Sequence, residues 1–151
     1  MEFDIAVLGG DGIGPEVTVE GVRVLEAMGR AFSHSFNLSY GDIGGISIDK
    51  HGTPLTDETR GLLDSNDAVL FGAVGGPKWD SPDAKVRPEM GLLDMRAHMG
   101  VFANIRPVKV YPLLAEALGL QPHIIPGVDL AVVRQLPGGP ASPLPRGSRD
   151  P

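Results

Sequence analysis

The chain has 151 residues, 42% of them hydrophobic, a net charge of −6 and no cysteine. That length suits one ordinary domain with a real core and excludes global disorder. The acidic balance argues against nucleic-acid and anionic-membrane partners. The missing cysteines exclude disulfides and thiolate metal sites, and the scattered His34, His51, His98 and His123 lack helical metal spacing.

The opening MEFDIAVLGG has neither the basic start nor the long apolar stretch of a secretory signal. No apolar run approaches the ~20 residues of a membrane span. The expectation is a soluble cytoplasmic protein. Phe3 to Leu8 reads as a buried strand and Gly9 to Gly14 as a loop. Pro15 suits a first helical position and Glu16 the positive helix end. Val17, Gly21, Val22, Leu25 and Met28 then recur at helical spacing, which predicts an amphipathic helix from Pro15 to Met28. Phe36 to Tyr40 reads as a second strand, and GDIGGISIDKHGTPL as loop. Thr56 caps a predicted helix from Asp57 to Asp64. Ala68 to Phe71 is a buried strand, followed by the glycine-rich GAVGGPKWDSPDAKVRPE. Gly91 to Met99 reads as helix, Val101 to Val110 as extended, Ala115 to Leu120 as a short helix, and Val128 to Val133 as another buried strand. The final PGGPASPLPRGSRDP, with five prolines and three glycines, has no capacity for a helix or strand of any length.

Strands alternating with helices predict an α/β fold with a largely parallel sheet and flanking helices. Ligands of such sheets bind outside the carboxyl ends of the strands. GGDGIG and GAVGGPKWD both follow strands and belong at that edge. GGDGIG departs from the G-x-G-x-x-G spacing of a Rossmann loop, and no Lys-Ser or Lys-Thr completes a Walker A motif. Two readings stay open for it: a phosphate-facing loop, or a tight turn whose glycines allow close packing.

Three stretches narrow the choice. GGDGIGPEV, the run FGAVGGPKWDSPDAKVRPEMGLLDMRAHMGVFANIRP from Phe71 to Pro107, and GVDLAVVRQLPGG from Gly127 to Gly139 together resemble the β-decarboxylating isocitrate/isopropylmalate dehydrogenases, in particular the isopropylmalate branch. The resemblance runs from Phe3 to about Gly139. It implies a two-domain α/β enzyme, not a true Rossmann fold, that acts as a homodimer. It also implies oxidation of a 2-hydroxy diacid at C2 with NAD and a divalent metal, Mg or Mn, followed by loss of CO2. On this pattern residues 1–100 are the N-terminal half of the cofactor-binding domain and 101–136 begin the substrate and dimer domain, leaving 137–151 as a divergent tail.

A dicarboxylate substrate needs fixed cations, and the planar, permanently charged guanidinium meets a carboxylate bidentately. The resemblance gives that role to Arg96, Arg106 and Arg134; taken singly, outside the motif, each reads more simply as a surface salt-bridge residue. Leu92 and Leu93 point about 100° apart on a helix, so one can line a pocket while the other packs. In the family this pair faces the substrate's isopropyl group; ordinary core leucines are the plainer reading. The resemblance places Gly12, Ile13, Gly76, Pro77, Lys78, Trp79, Asp80 and Glu89 against the cofactor. Asp11 and Glu16 carry no chemical role in this reading and are expected to cap a helix or face solvent.

The sequence also departs from the family pattern. Where the family continues Glu-Leu-Thr, this chain has Gln135, Leu136 and Pro137, and the family's catalytic Tyr position falls on Ala141. The resemblance places the catalytic Lys and the metal ligands outside these residues, so no catalytic or metal residue is assigned. The expectation for the 151 residues alone is an inactive fragment; sister dehydrogenases of isocitrate, tartrate or homoisocitrate are the enzymatic alternatives.

Overall fold

The apolar run that begins the sequence becomes the central strand of the fold. The computed structural model describes residues 1–110 and 128–135, and the chain divides into two units, Met1–Gly100 and Val101–Pro151. In the first, β1 (Glu2–Gly10), β2 (Ser35–Tyr40) and β3 (Ala68–Ala73) form a parallel sheet in the order β2-β1-β3. Ile5 aligns with Leu38 on one side and Ala68 on the other. Four consecutive β1 residues, Ile5 to Leu8, are buried. Burial without alternation means that both sheet faces are covered, the usual state of parallel strands.

Between the strands lie α1 (Gly14–Phe32), α2 (Gly45–His51) and α3 (Asp57–Ser65), and α4 (Pro88–His98) follows β3. Leu8, Ile43, Leu55, Leu63 and Met95 form the core, with Val69, Phe71, Val74 and Leu92 packed on it. Thr56 caps α3 as expected, its hydroxyl accepting from the Thr59 N–H at 3.1 Å. α1 continues one turn past Met28 and stops at Ser33, which takes the left-handed conformation.

Two expectations need correction. GDIGGISIDKHGTPL is not all loop, because Gly45–His51 within it is helical. The helix ends at Gly52, whose positive φ terminates it. The Ser47 hydroxyl, buried, donates to the Thr53 carbonyl at 2.7 Å and holds the returning chain.

The second correction concerns Val128 to Val133, expected as a buried strand. In the second unit β4 (Ala103–Lys109) pairs antiparallel with β5 (Asp129–Gln135). Leu130, Val132 and Val133 are exposed. A two-stranded ribbon satisfies one edge of each strand but by itself buries neither face, so apolar composition alone did not report burial here. The expected Ala115–Leu120 helix and the 137–151 tail, including Ala141, lie outside the described residues.

Candidate functional site

The carboxyl ends of β1 and β3 meet at the glycine loop. A side chain at Gly10 (φ 72°) would overlap the Ala73 carbonyl oxygen, and one at Gly14 would overlap the Gly9 carbonyl. These two glycines are packing devices: they let β1, the start of α1 and the end of β3 approach backbone to backbone. The Asp11 N–H then donates to the Ala73 carbonyl at 2.7 Å. Gly12 differs. It is exposed with φ 57°, and the nearest neighbour of an added Cβ is the Gly75 carbonyl at 3.8 Å. Ile13, beside it, is exposed. The tight-turn reading therefore describes Gly10 and Gly14, while Gly12 and Ile13 present open backbone and an apolar side chain at the sheet's carboxyl edge.

Asp11, expected to cap a helix or face solvent, is the organising residue of this edge. It is 4% exposed. Its Oδ2 accepts from the backbone N–H of Gly45 at 2.6 Å and of Gly75 at 2.9 Å, and its Oδ1 accepts from Ile46 N–H at 2.7 Å. One carboxylate thus joins three loops that follow three different strands. It caps a helix, as one expectation had it, but α2 at 34 residues' distance and not the helix it precedes. A carboxylate at a helix start satisfies donors that have no intrahelical partner.

The GGPKWD stretch leaves β3 and makes a 3-10 turn at Pro77–Trp79. The Asp49 carboxylate on α2 holds this turn twice: it pairs with the Lys78 ammonium and accepts from the Trp79 indole N–H at 3.2 Å. The Lys78 Nζ also lies 5.2 Å from the Trp79 ring centroid. The hydrogen bond from Lys78, assisted by that from Trp79, holds the Asp49 carboxyl below its ordinary 3.8. A side chain at Gly45 would overlap the Trp79 indole, so the ring lies directly on the α2 backbone. Lys78 and Asp80 are exposed, and Gly76 and Trp79 half-buried.

Glu89, Leu92, Leu93 and Arg96 occur at i, i+3, i+4 and i+7 along α4 and share one side of it. Pro88, Gly91 and Met95 form the buried side. Leu92 stands next to that side and packs on the core, whereas Leu93 is 36% exposed. An added Cβ on Gly75 would stand 2.8 Å from the Glu89 carboxylate, so Glu89 reaches back over the loop that Asp11 holds. Arg96 is half-buried.

In the second unit the register opposes Asn104 to Arg134 and Arg106 to Val132. Side chains two apart along a strand share a face, so Asn104, Arg106 and Arg134 lie on the same face of the ribbon. The Arg106 Nε–H donates to the Asn104 side-chain oxygen at 2.9 Å, and both arginines are exposed. Two guanidiniums on one face, diagonal across the pair, suit a ligand with more than one carboxylate oxygen. Among the described residues no group of three or more His, Asp or Glu is arranged to hold a metal ion.

The family model for isocitrate/isopropylmalate dehydrogenase matches residues 4–145. A 3-isopropylmalate dehydrogenase of Pseudomonas fluorescens is 51% identical over 150 residues, 99% of this chain and 42% of that relative. Another, from Anaeromyxobacter dehalogenans, is 54% identical over 147 residues, 97% of this chain and 42% of its own length. Among solved structures, a β-decarboxylating dehydrogenase from Thermococcus kodakarensis superposes with a TM-score of 0.64 at 31% identity, over 91% of this chain and 35% of that one. The chain spans about two fifths of the length of the curated relatives it matches. A parallel sheet with these loops at its carboxyl edge and a match along nearly the whole sequence make this chain a member of the isocitrate/isopropylmalate dehydrogenase family.

Proposed function

We propose that these residues are the N-terminal portion of an NAD-dependent 3-isopropylmalate dehydrogenase, a cytoplasmic homodimer of leucine biosynthesis that oxidises and decarboxylates its substrate to 2-oxoisocaproate. The observation that carries this reading is the 51% identity along 99% of the chain to a protein of that name. In this reading Arg96, Arg106 and Arg134 clamp the substrate's carboxylates, and Asn104 holds the Arg106 fork in plane. Leu93, the outward member of the leucine pair, meets the isopropyl branch while Leu92 packs behind it. Gly12, Ile13, the Gly76–Asp80 segment and Glu89 form the wall for the nicotinamide end of the cofactor; the exposed Gly12 backbone and Ile13 side chain suit a flat ring laid against them. NAD, when bound, would supply the hydride acceptor, and Mg or Mn a Lewis acid whose ligands the resemblance places outside these residues. Residues 1–100 would then be half of the cofactor domain, and 101–136 the start of the substrate and dimer domain.

Ala141, at the family's Tyr position, favours a second reading for the 151 residues by themselves, a catalytically inactive fragment. A chimera tests both. Residues 1–136 are joined to the matching remainder of the Pseudomonas fluorescens relative, and NADH formation is followed with NAD, Mg or Mn, and 3-isopropylmalate, isocitrate or tartrate. Turnover preferring 3-isopropylmalate is expected, with none from the 151 residues alone. Preference for isocitrate or tartrate would reject the substrate assignment. A folded chimera without turnover would reject the enzymatic one.

A further inference from the structure

We infer that Asp49 is a positioning residue that latches the Gly75–Asp80 loop to α2 and so sets the shape of the proposed cofactor wall. The inference rests on the reading of that loop given above. Among the described residues the Asp49 side chain hydrogen-bonds to neither the glycine loop nor α4. Yet its two oxygens are divided between two consecutive residues of GGPKWD: Oδ2 pairs with the Lys78 ammonium, and Oδ1 accepts from the Trp79 indole N–H. The two contacts differ in kind. The ion pair is charge-dependent and exposed; the indole bond is directional and fixes the ring plane against Gly45. An exposed ion pair alone contributes little. An ion pair, an indole bond and a ring seated on a glycine backbone together constrain the loop at three points.

The anchor is itself anchored. Asp11 binds the first turn of α2 through Gly45 and Ile46 and binds the loop through Gly75. The loop therefore hangs between two carboxylates: Asp11 holds its beginning at Gly75, and Asp49 holds its turn at Lys78 and Trp79. Asp11 is buried and belongs to the fold. Asp49 is exposed, so its loss releases the turn without opening the core.

Trp79 is the only tryptophan of the chain, so intrinsic fluorescence reads the latch in the 151-residue protein directly. Asp49→Asn keeps an acceptor for the indole but removes the charge, and Asp49→Ala removes both. Emission is expected to move towards that of a water-exposed indole, with collisional quenching by acrylamide rising in the order wild type, Asp49→Asn, Asp49→Ala. Asp49→Glu is expected to recover part of the wild-type signal. Far-UV circular dichroism should stay at the wild-type level throughout. Should an Asp49 variant fail to fold, Lys78→Gln and wild type in high salt, which screens the pair, must show the smaller rise expected of Asp49→Asn, since both leave the indole bond in place. Wild-type quenching in Asp49→Ala, or in both Lys78→Gln and high salt, would overturn the latch. This readout needs no cofactor, so its failure is distinct from failure of the chimera to turn over.

Discussion

The Asp11 carboxylate accepts a hydrogen bond from the Gly75 N–H at 2.9 Å, 64 residues away, and through it the first strand's loop sets the position of the third strand's loop. The same oxygen holds Gly45. Removal of this side chain leaves three buried or half-buried donors without a partner. Asp11→Ala is expected to lower stability by about 3–5 kcal/mol, and Asp11→Asn by roughly 1–3 kcal/mol, because the amide keeps one acceptor oxygen and turns its NH2 against the remaining N–H. Chemical denaturation of both variants checks this; a loss below about 1 kcal/mol for Asp11→Ala would show that the bonds are dispensable.

Gly10 and Gly12 share a positive φ but not a neighbourhood. Gly10→Ala forces a methyl into the Ala73 carbonyl and is expected to cost at least about 3 kcal/mol. Gly12→Ala meets only the Gly75 carbonyl at an ordinary 3.8 Å contact and is expected to cost only the backbone strain, about 1–2 kcal/mol. Equal losses in thermal or denaturant unfolding would contradict the division of the loop into packing and presenting glycines.

The leucine pair separates in the same manner. Leu92→Ala opens the core beside Met95 and is expected to lower stability by about 2–3 kcal/mol. Leu93→Ala is expected to stay within about 1 kcal/mol in stability, yet to lower the preference of the chimera for 3-isopropylmalate over isocitrate by about 10- to 200-fold in kcat/KM. A specificity change that followed Leu92 and spared Leu93 would reverse the assignment.

Asp49 gives a pH dependence with a defined sign. Its carboxyl titrates below the ordinary 3.8 when hydrogen-bonded to Lys78 and Trp79. A depressed carboxylate stabilises the latched loop fully above the ordinary value and loses that contribution as pH falls through the lower, latched one. Trp79 quenching is therefore expected to be flat above about pH 5 and to rise as the solution is taken below 3.8. Asp49→Asn, which carries no titrating group there, is expected to show no such rise. Identical acid profiles for the two proteins would assign the change to general unfolding.

The elements legible in the sequence were those with a local signal. β3 is an unbroken apolar run and β1 carries one from Ile5 to Leu8, α3 announces itself by Thr56 and the acids after it, and α4 by Leu92, Leu93 and Met95 among charged residues, although it begins at Pro88, three residues before the expected Gly91. α2 was not legible, because seven residues with two β-branched isoleucines show no helical period, and the carboxylate that caps it comes from residue 11. Capping by Asp11 was expected, but its reach to α2 and Gly75 was not legible for the same reason: its three partners are backbone N–H groups, which leave no mark in a sequence. Gly44 and Gly75, both with positive φ, are the only local trace of that cradle. Apolar content misled at Val128 to Val133, since composition records what a strand is able to bury and not whether a neighbour covers it. The arginines were identifiable only through motifs; the shared face of Arg106 and Arg134 follows from a strand register that pairs residues 30 apart.

The most direct test of the account is a crystal structure of the chimera with 3-isopropylmalate bound. Arg96, Arg106 and Arg134 are expected in hydrogen-bond contact with the two carboxylates, with Arg106 still held by Asn104 and Leu93 against the isopropyl group. A bound substrate that leaves these arginines in solvent, or seats its branch away from Leu93, would contradict it.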